Sequence, residues 1–367
     1  MTSLPKMVPH TAAKHLLLKR YLDAWFPILG KYHTRINYID GFAGPGEYEG
    51  GEDGSPILAI EAAKSHVERG TLASNVKINF AFVEAEPDYA THLQQRLGQL
   101  SYPGQFKVGV IPGEFADVIG DILDKLEKGN KVLAPTFAFV DPFGFSGIPF
   151  DLMARILTNP KCEIFVNIMI EFINRFLDHP NDKVLAHFPH TFGTSEVMQI
   201  PGQQGDRIAA LLALYRRQLK SKAKFVGRFD MHGRRDQKTY SLFFASNSPL
   251  GFEKMKGAMW SVDKTDGGKF SDFEPGAGAQ LGLLSFQPLW EDLFARYRGQ
   301  RVPMLEIERF VIEETDYLPK HARTILNEQE ETGGISVVTA PDYKRPKRTF
   351  KADKVSIQFA SSPPGLF

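Results

Sequence analysis

Short apolar runs alternate with amphipathic stretches over most of this 367-residue chain. Residues 11–30 carry Leu16, Leu17, Tyr21, Leu22 and Trp25 at helical spacing, and Gly30 stops the pattern. The run Arg35–Asp40 predicts a first strand, followed by a polar, glycine-rich excursion over Glu47–Gly54. Ser55-Pro56 reads as an N-cap and a proline at the first helical position, opening a helix over Ile57–Val67. Further strands are expected at Val76–Glu84, Phe106–Ile111, Thr136–Val140 and Cys162–Met169, with helices at Asp88–Leu97, Phe115–Lys128 and about Phe150–Leu157. Near-continuous apolar strands alternating with helices predict a parallel sheet buried on both faces. Residues 172–222 read as a helical insertion covering the crevice of that sheet. Phe225–His232 and Lys238–Ala245, separated by the polar turn Gly233–Asp236, predict a hairpin at one sheet edge, with a helix over Leu250–Trp260 packed on it. The fold class is therefore α/β, a Rossmann-like sheet of seven strands with a helical insertion.

The last section changes character. Residues 264–282 are rich in glycine and read as a mobile loop near a domain boundary. Amphipathic helices are expected over Pro303–Glu314 and Leu318–Glu330, ended by Gly333-Gly334. Two strands, Ile335–Thr339 and Val355–Phe359, flank the basic stretch Lys344–Arg348. That order spells a small C-terminal winged-helix domain, placed at 300–360 after a first domain over 1–290.

Composition narrows the function classes. Apolar content of 43% and charged content of 24% are those of a globular protein. A net charge of +1 excludes a polycation, so nucleic-acid binding has to come from a local basic patch. Cys162 is the one cysteine, which leaves no internal disulfide or multi-cysteine metal site and suits a reducing cytoplasm. Lys14, Lys19, Arg20 and Asp23 interrupt the first apolar stretch, so neither a signal peptide nor a membrane span is expected there. The histidines show no metal-ligand spacing, and no metal is expected.

The chemistry concentrates where strands end. Asn37–Gly46 runs from a strand into Asp40-Gly41-Phe42-Ala43-Gly44-Pro45-Gly46. Glycines serve where backbone passes close to a ligand or takes positive φ, and ligands of open α/β sheets bind beyond the carboxyl ends of the strands. The spacing departs from the dinucleotide pattern. It resembles the first motif of S-adenosylmethionine (SAM) dependent methyltransferases, whose seven-stranded layout the predicted elements also match. Asp40 is then expected to neutralise the ammonium of the cofactor. Glu84, with Glu86 as fallback, is expected to hold the ribose hydroxyls, and Glu114 the adenine amine with Phe115 against the ring. Asp141-Pro142-Phe143-Gly144 resembles the tetrapeptide with which methyltransferases of exocyclic base amines grip the target nitrogen, in the form seen in tRNA guanine-N2 dimethyltransferases. Its carboxylate accepts from the amine and an aromatic stacks on the base, Phe143 here, with Phe145 as a second candidate. In the wing, Lys344, Arg345, Lys347, Arg348 and Lys351 are candidates for phosphate contacts, and Tyr343 and Phe350 for base stacking.

Across nearly its whole length the chain resembles the three-Cys-motif partner protein (TcmP) family. The resemblance is carried by Lys14–Leu22, Tyr38–Gly46, Gly54–Ile60, Phe82–Glu84, Phe139–Gly144 and Met255–Trp260. It implies a bacterial or phage gene set beside a radical-SAM protein that carries the three cysteines, and a winged helix similar to that of guanine methyltransferases. The leading expectation is a SAM-dependent methyltransferase acting on a base nitrogen of RNA or DNA. The alternatives are a non-catalytic nucleic-acid or partner-protein adaptor of a radical-SAM enzyme, and a small-molecule methyltransferase.

Overall fold

The computed structural model describes residues 3–144, 147–200, 207–233, 238–265, 267–271 and 286–362. Residues 3–262 and 268–271 fall in one compact unit, and residues 263–267 and 286–362 in a second. The first unit opens with helix α1 (Pro9–Tyr32) and then alternates: β1 (Arg35–Asp40), α2 (Ser55–Glu68), β2 (Lys77–Glu84), α3 (Pro87–Gly98), β3 (Phe106–Pro112), α4 (Phe115–Lys128), β4 (Thr136–Val140), α5 (Phe150–Thr158) and β5 (Glu163–Ile168). The helices α6 (Ile170–Phe176), α7 (Asp182–Leu185), α8 (His187–Phe192) and α9 (Arg207–Lys220) follow, then β6 (Phe225–His232), β7 (Lys238–Ser246), α10 (Pro249–Val262) and β8 (Lys269–Ser271).

The sheet has eight strands in the order β3-β2-β1-β4-β5-β7-β6-β8, not the expected seven. The extra strand, β8, pairs in parallel with β6 inside the stretch read as a loop. Three residues between glycines carry too little periodicity to announce a strand, and β8 takes the sheet edge from the hairpin. The turn residues 234–236, most of the loop 264–282 and Phe145 lie outside the described residues.

β1 to β5 pair in parallel, and β7 runs antiparallel to both β5 and β6. One face is aromatic: Tyr38, Phe80, Phe82, Phe137, Phe139 and Phe165 are all buried there. The other face carries Ile39, Val83, Val140, Ile164 and Val166, packed with Phe115 and Ile119 of α4 and Leu152 and Met153 of α5. Phe188, Phe192, Leu211 and Tyr215 of the expected insertion join this second core. Those helices complete the layer beside α5, which is where their apolar sides find burial.

The second unit is built from α11 (Gln287–Tyr297), β9 (Arg301–Pro303), α12 (Met304–Glu314), α13 (Pro319–Glu331), β10 (Ile335–Thr339) and β11 (Val355–Phe359), with sheet order β10-β11-β9. Helix α11 straddles the break expected at residue 290. Its Leu289, Trp290, Leu293 and Tyr297 sit in this unit's core with Ile307, Ile325 and Ile357.

Phe137 is fully buried with ring centroids of Tyr21 at 5.1 Å, Trp25 at 6.0 Å and Tyr38 at 6.1 Å. Phe137→Ala is therefore expected to cost about 3–5 kcal/mol, read from the urea midpoint. A loss under about 1 kcal/mol would contradict this packing.

Candidate active site

Strand register decides where the acidic residues stand. Asp40 pairs with Phe82 on β2 and with Phe139 on β4. Glu84 and Asp141 each lie two residues further along their strands, so all three share one face. Asp40 sits deeper by two strand steps, about 6.6 Å, which explains its complete burial beside a partly exposed Glu84 and Asp141. The chain leaves β1 and β4 in opposite directions around the sheet, so the crevice between them is its topological switch point.

Each carboxylate has defined partners. Ser55 Oγ donates to Asp40 Oδ2 at 2.6 Å, and the Phe42 amide donates to Oδ1 at 3.3 Å. Gly54, not Ser55, is the N-cap of α2, because the Ser55 hydroxyl is committed to Asp40. Asp40 thus ties the glycine turn to α2, and it meets a ligand ammonium only through its charge or through an intervening group. Burial pushes its pKa up to about 7; the Ser55 and Phe42 hydrogen bonds oppose this, and the charges of Asp141 and Glu84 add to it. Glu84 accepts from the Gly44 amide at 2.6 Å and the Glu86 amide at 2.8 Å. Two of the roughly four acceptor positions of that carboxylate are then used, and two remain on a half-exposed side chain. Gly44 has φ +63°, and no atom lies within 4 Å of where a Cβ would be, so ligand can approach the backbone there. Gly41 is glycine for the opposite reason: a Cβ would stand 2.5 Å from the Phe115 ring.

Phe115 departs from its expected role. It is 1% exposed, packed on Gly41 with its ring 5.6 Å from that of Phe42, and is core rather than an adenine platform. Burial of one aromatic at a helix start depends on α4 packing across the sheet, which spacing does not reveal. Phe42 is the half-buried ring of the pair, and Glu114 is exposed as the N-cap of α4.

The end of β4 holds a polar cluster drawn from three elements. Asn167 on β5 donates through Nδ2 to Asp141 Oδ1 at 2.8 Å, and Lys14 of α1 forms a part-buried ion pair with Oδ2. The Lys14 ammonium also lies 5.5 Å from the Tyr240 ring centroid. Beside it His15 is 6% exposed, and burial first, then the Lys14 charge, lowers its pKa to about 4, so it is neutral near pH 7. Two buried polar atoms here have no hydrogen-bond partner among the described residues: Asn167 Oδ1 and His15 Nδ1. Pro142 is buried while Phe143 is 89% exposed, so its ring is offered to solvent next to Asp141. Sequence pattern alone does not mark Lys14, His15, Asn167 or Ser55 as site residues. Lys14 lies 127 residues from its partner, and its one signal was a charge on the apolar face of α1.

The wing is less basic than its sequence. Arg345 grips Glu330 through both terminal nitrogens at 2.5 and 2.7 Å, donates from Nε to the Thr349 carbonyl at 2.6 Å and stacks 4.8 Å from the Phe350 centroid. Its fork is spent on holding the wing to α13. Arg348 pairs with Glu331, and Lys354 with Asp342 at 3.0 Å. Phe350 is 4% exposed, so it anchors the wing instead of offering a stacking face. Lys344, Lys347 and Lys351 remain exposed, Lys351 lying 5.8 Å from the Tyr343 ring.

Two outcomes follow from these partners. Asp40 in the folded chain keeps a proton between about pH 4 and 7 that the unfolded chain has released. Wild type should therefore lose stability relative to Asp40→Asn as pH rises through that window, read as the difference in Tm; a difference flat with pH contradicts the burial of Asp40. Arg345→Ala should destabilise the chain by about 1–3 kcal/mol, whereas Lys344→Ala with Lys347→Ala stays within about 0.5 kcal/mol of wild type. Equal effects in calorimetric melts would overturn that division.

A family model described as a GMT-like wHTH domain matches residues 262–342, the stretch that carries α11 to β10. A search of curated proteins gives no match. Among solved structures, the O-methyltransferase TomG from Streptomyces achromogenes, in complex with SAM, is 14% identical over 63% of this chain and 79% of its own, with a TM-score of 0.34. An O-methyltransferase from Bacillus cereus in complex with SAH is 12% identical over 62% and 80%, at 0.34. Protein LPL1258 from Legionella pneumophila is 14% identical over 69% and 89%, at 0.42. At these scores the likenesses carry no argument about this chain. Among the described residues no helix is long and apolar enough to cross a membrane.

Proposed function

We propose that this protein is a SAM-dependent methyltransferase acting on an exocyclic amine of a nucleic-acid base. The observation that carries the reading is the end of β4: an ionisable Asp141 fixed by Lys14 and Asn167, directly beside the exposed ring of Phe143. The cofactor fits the residues present. Asp40, Glu84 and Asp141 share one face around an open Gly44, and Asn167 Oδ1 and His15 Nδ1 await polar partners. Glu84 would hold the ribose hydroxyls with its remaining lone pairs, and the charge of Asp40 would favour the ammonium. Bound SAM supplies an electrophilic methyl group on a sulfonium, open to in-line displacement.

The residues of the chain then orient rather than attack. Asp141 accepts a hydrogen bond from the target amine, which turns the nitrogen lone pair away from the carboxylate and toward the methyl group. Lys14 and Asn167 together fix the position and rotation of the Asp141 carboxylate. Phe143 stacks on the base, and alignment with removal of water supplies most of the acceleration. With SAM bound, the target nitrogen would take the methyl group from the sulfonium, and the amine proton would pass to Asp141 or solvent. The wing contributes Lys344, Lys347 and Lys351 to phosphate contact. A radical-SAM partner carrying three cysteines belongs to the same reading as a protein that would deliver or receive the substrate.

Calorimetry with S-adenosylhomocysteine tests the cofactor. Micromolar binding is expected, about tenfold tighter at pH 8 than at pH 6, because the ligand ammonium favours an ionised Asp40 whose pKa stands near 7. No binding at either pH would favour the adaptor reading. Transfer of labelled methyl groups into nucleic acid tests the substrate. Phe143→Ala should lower transfer about 5–150-fold, the worth of one base–aromatic stack, with unchanged S-adenosylhomocysteine affinity; full transfer by this variant contradicts the assigned stack.

A further inference from the structure

The winged-helix unit is charge-balanced. Residues 286–362 carry twelve Lys or Arg and twelve Asp or Glu, and Arg345, Arg348 and Lys354 are engaged by acids within the unit. A polyanion held there alone would meet little net positive charge. The first unit has another basic surface, at the end of the sheet opposite the carboxylate crevice. Arg35, Lys77 and Lys107 line a concavity of about 620 Å³ together with Asn75, Asn79 and Gln105, and no acidic residue lines it. All three cations are exposed, and none has an ion-pair partner among the described residues.

Register shows that this is one surface rather than three scattered side chains. Arg35 pairs with Lys77, and Asn79 with Lys107, on adjacent parallel strands. Residues two apart on a strand share a face, so Arg35, Lys77, Asn79 and Lys107 all project from the same side. The floor is held by side-chain hydrogen bonds that cross three strands. Asn79 donates to Asn37 Oδ1 at 2.8 Å, Asn37 donates to Thr136 Oγ1 at 3.1 Å, and Thr136 donates to the Ala134 carbonyl at 2.7 Å. Cations mounted on strand backbone with a fixed polar floor are placed in advance, which lowers the ordering cost of binding.

We propose that this tract grips the phosphate backbone of the nucleic acid whose base enters the crevice; the proposal rests on the nucleic-acid reading above. Asp40 pairs with Phe139, so Asp141 stands seven strand positions beyond Arg35, about 23 Å at 3.3 Å per residue, and on the other face of the sheet. A duplex advances about 3.4 Å per base step, so a substrate with a base at Asp141 carries phosphates this far along the strands within about seven steps. The amides of Asn75, Asn79 and Gln105 add neutral donors for phosphate oxygens, and the contact reads no base, in keeping with a positioning role.

The test is fluorescence anisotropy on the full chain, with a labelled RNA hairpin and a DNA hairpin of the same sequence, across about 50–200 mM salt. Arg35→Gln with Lys77→Gln and Lys107→Gln should weaken binding at least about tenfold at the low-salt end, and should reduce the slope of log affinity on log salt by about 2–3. The charge-preserving set Arg35→Lys, Lys77→Arg and Lys107→Arg should keep wild-type affinity and slope. Both sets should bind S-adenosylhomocysteine as wild type does, which shows that the fold is intact. Wild-type affinity and slope in the glutamine set would overturn the proposal and leave the nucleic-acid reading standing; so would equal losses in the two sets. Wild-type protein that binds neither hairpin at low salt would overturn both. A preference for one hairpin identifies the substrate as RNA or DNA and supports the proposal provided the glutamine set loses that preferred binding.

Discussion

The parallel register of β2, β1, β4 and β5 is the constraint on which the rest depends. Because Asp40 lines up with Phe82 and Phe139, the acidic tips of β2 and β4 rise two residues above it on the same face. A slip of one residue in either pairing would turn Glu84 or Asp141 to the face covered by α4 and α5. The aromatic layer from Tyr38 to Phe165 holds the register, since each ring alternates with a residue of the aliphatic face. Burial of Asp40, the open approach at Gly44 and the Lys14–Asp141 pair are all consequences of that alignment.

Charge is handled differently at the two levels of the crevice. Asp40 at the bottom has no cationic partner among the described residues; hydroxyl and amide donors hold it, and its proton affinity rises. Asp141 at the rim is met by an ammonium from a helix 127 residues earlier in the chain. The Lys14 ammonium and the half-buried Asp141 carboxylate satisfy one another, and removing one partner would leave an uncompensated charge. The pairing suits a group that has to accept a hydrogen bond in a fixed direction.

Most of the first unit was legible in the sequence. The strands through β5 have ends within a residue or two of those expected, because a parallel sheet buried on both faces writes itself as apolar runs. The glycine turn and the acidic strand ends were legible for the same reason. β8 was not, being three residues among glycines. Helix α11 carried its own signals, Pro288 near its start with Leu289, Leu293 and Tyr297 at helical spacing, and lay outside the elements expected. The errors at the site concern single side chains. The sequence pattern points Phe115 and Phe350 to stacking faces, yet both are buried, and it points Arg345 to a phosphate while Glu330 occupies it. Each depends on a partner distant in sequence, and hydrophobic pattern reports which face is buried but not which ring remains at its edge.

The most direct measurement is a crystal structure of the full chain grown with S-adenosylhomocysteine. The account predicts density over Gly44, with the ribose hydroxyls within hydrogen-bond distance of Glu84 and the sulfur directed toward Asp141 and Phe143. Ligand density elsewhere on the chain, or a crevice closed by repacked side chains at saturating ligand, would contradict it.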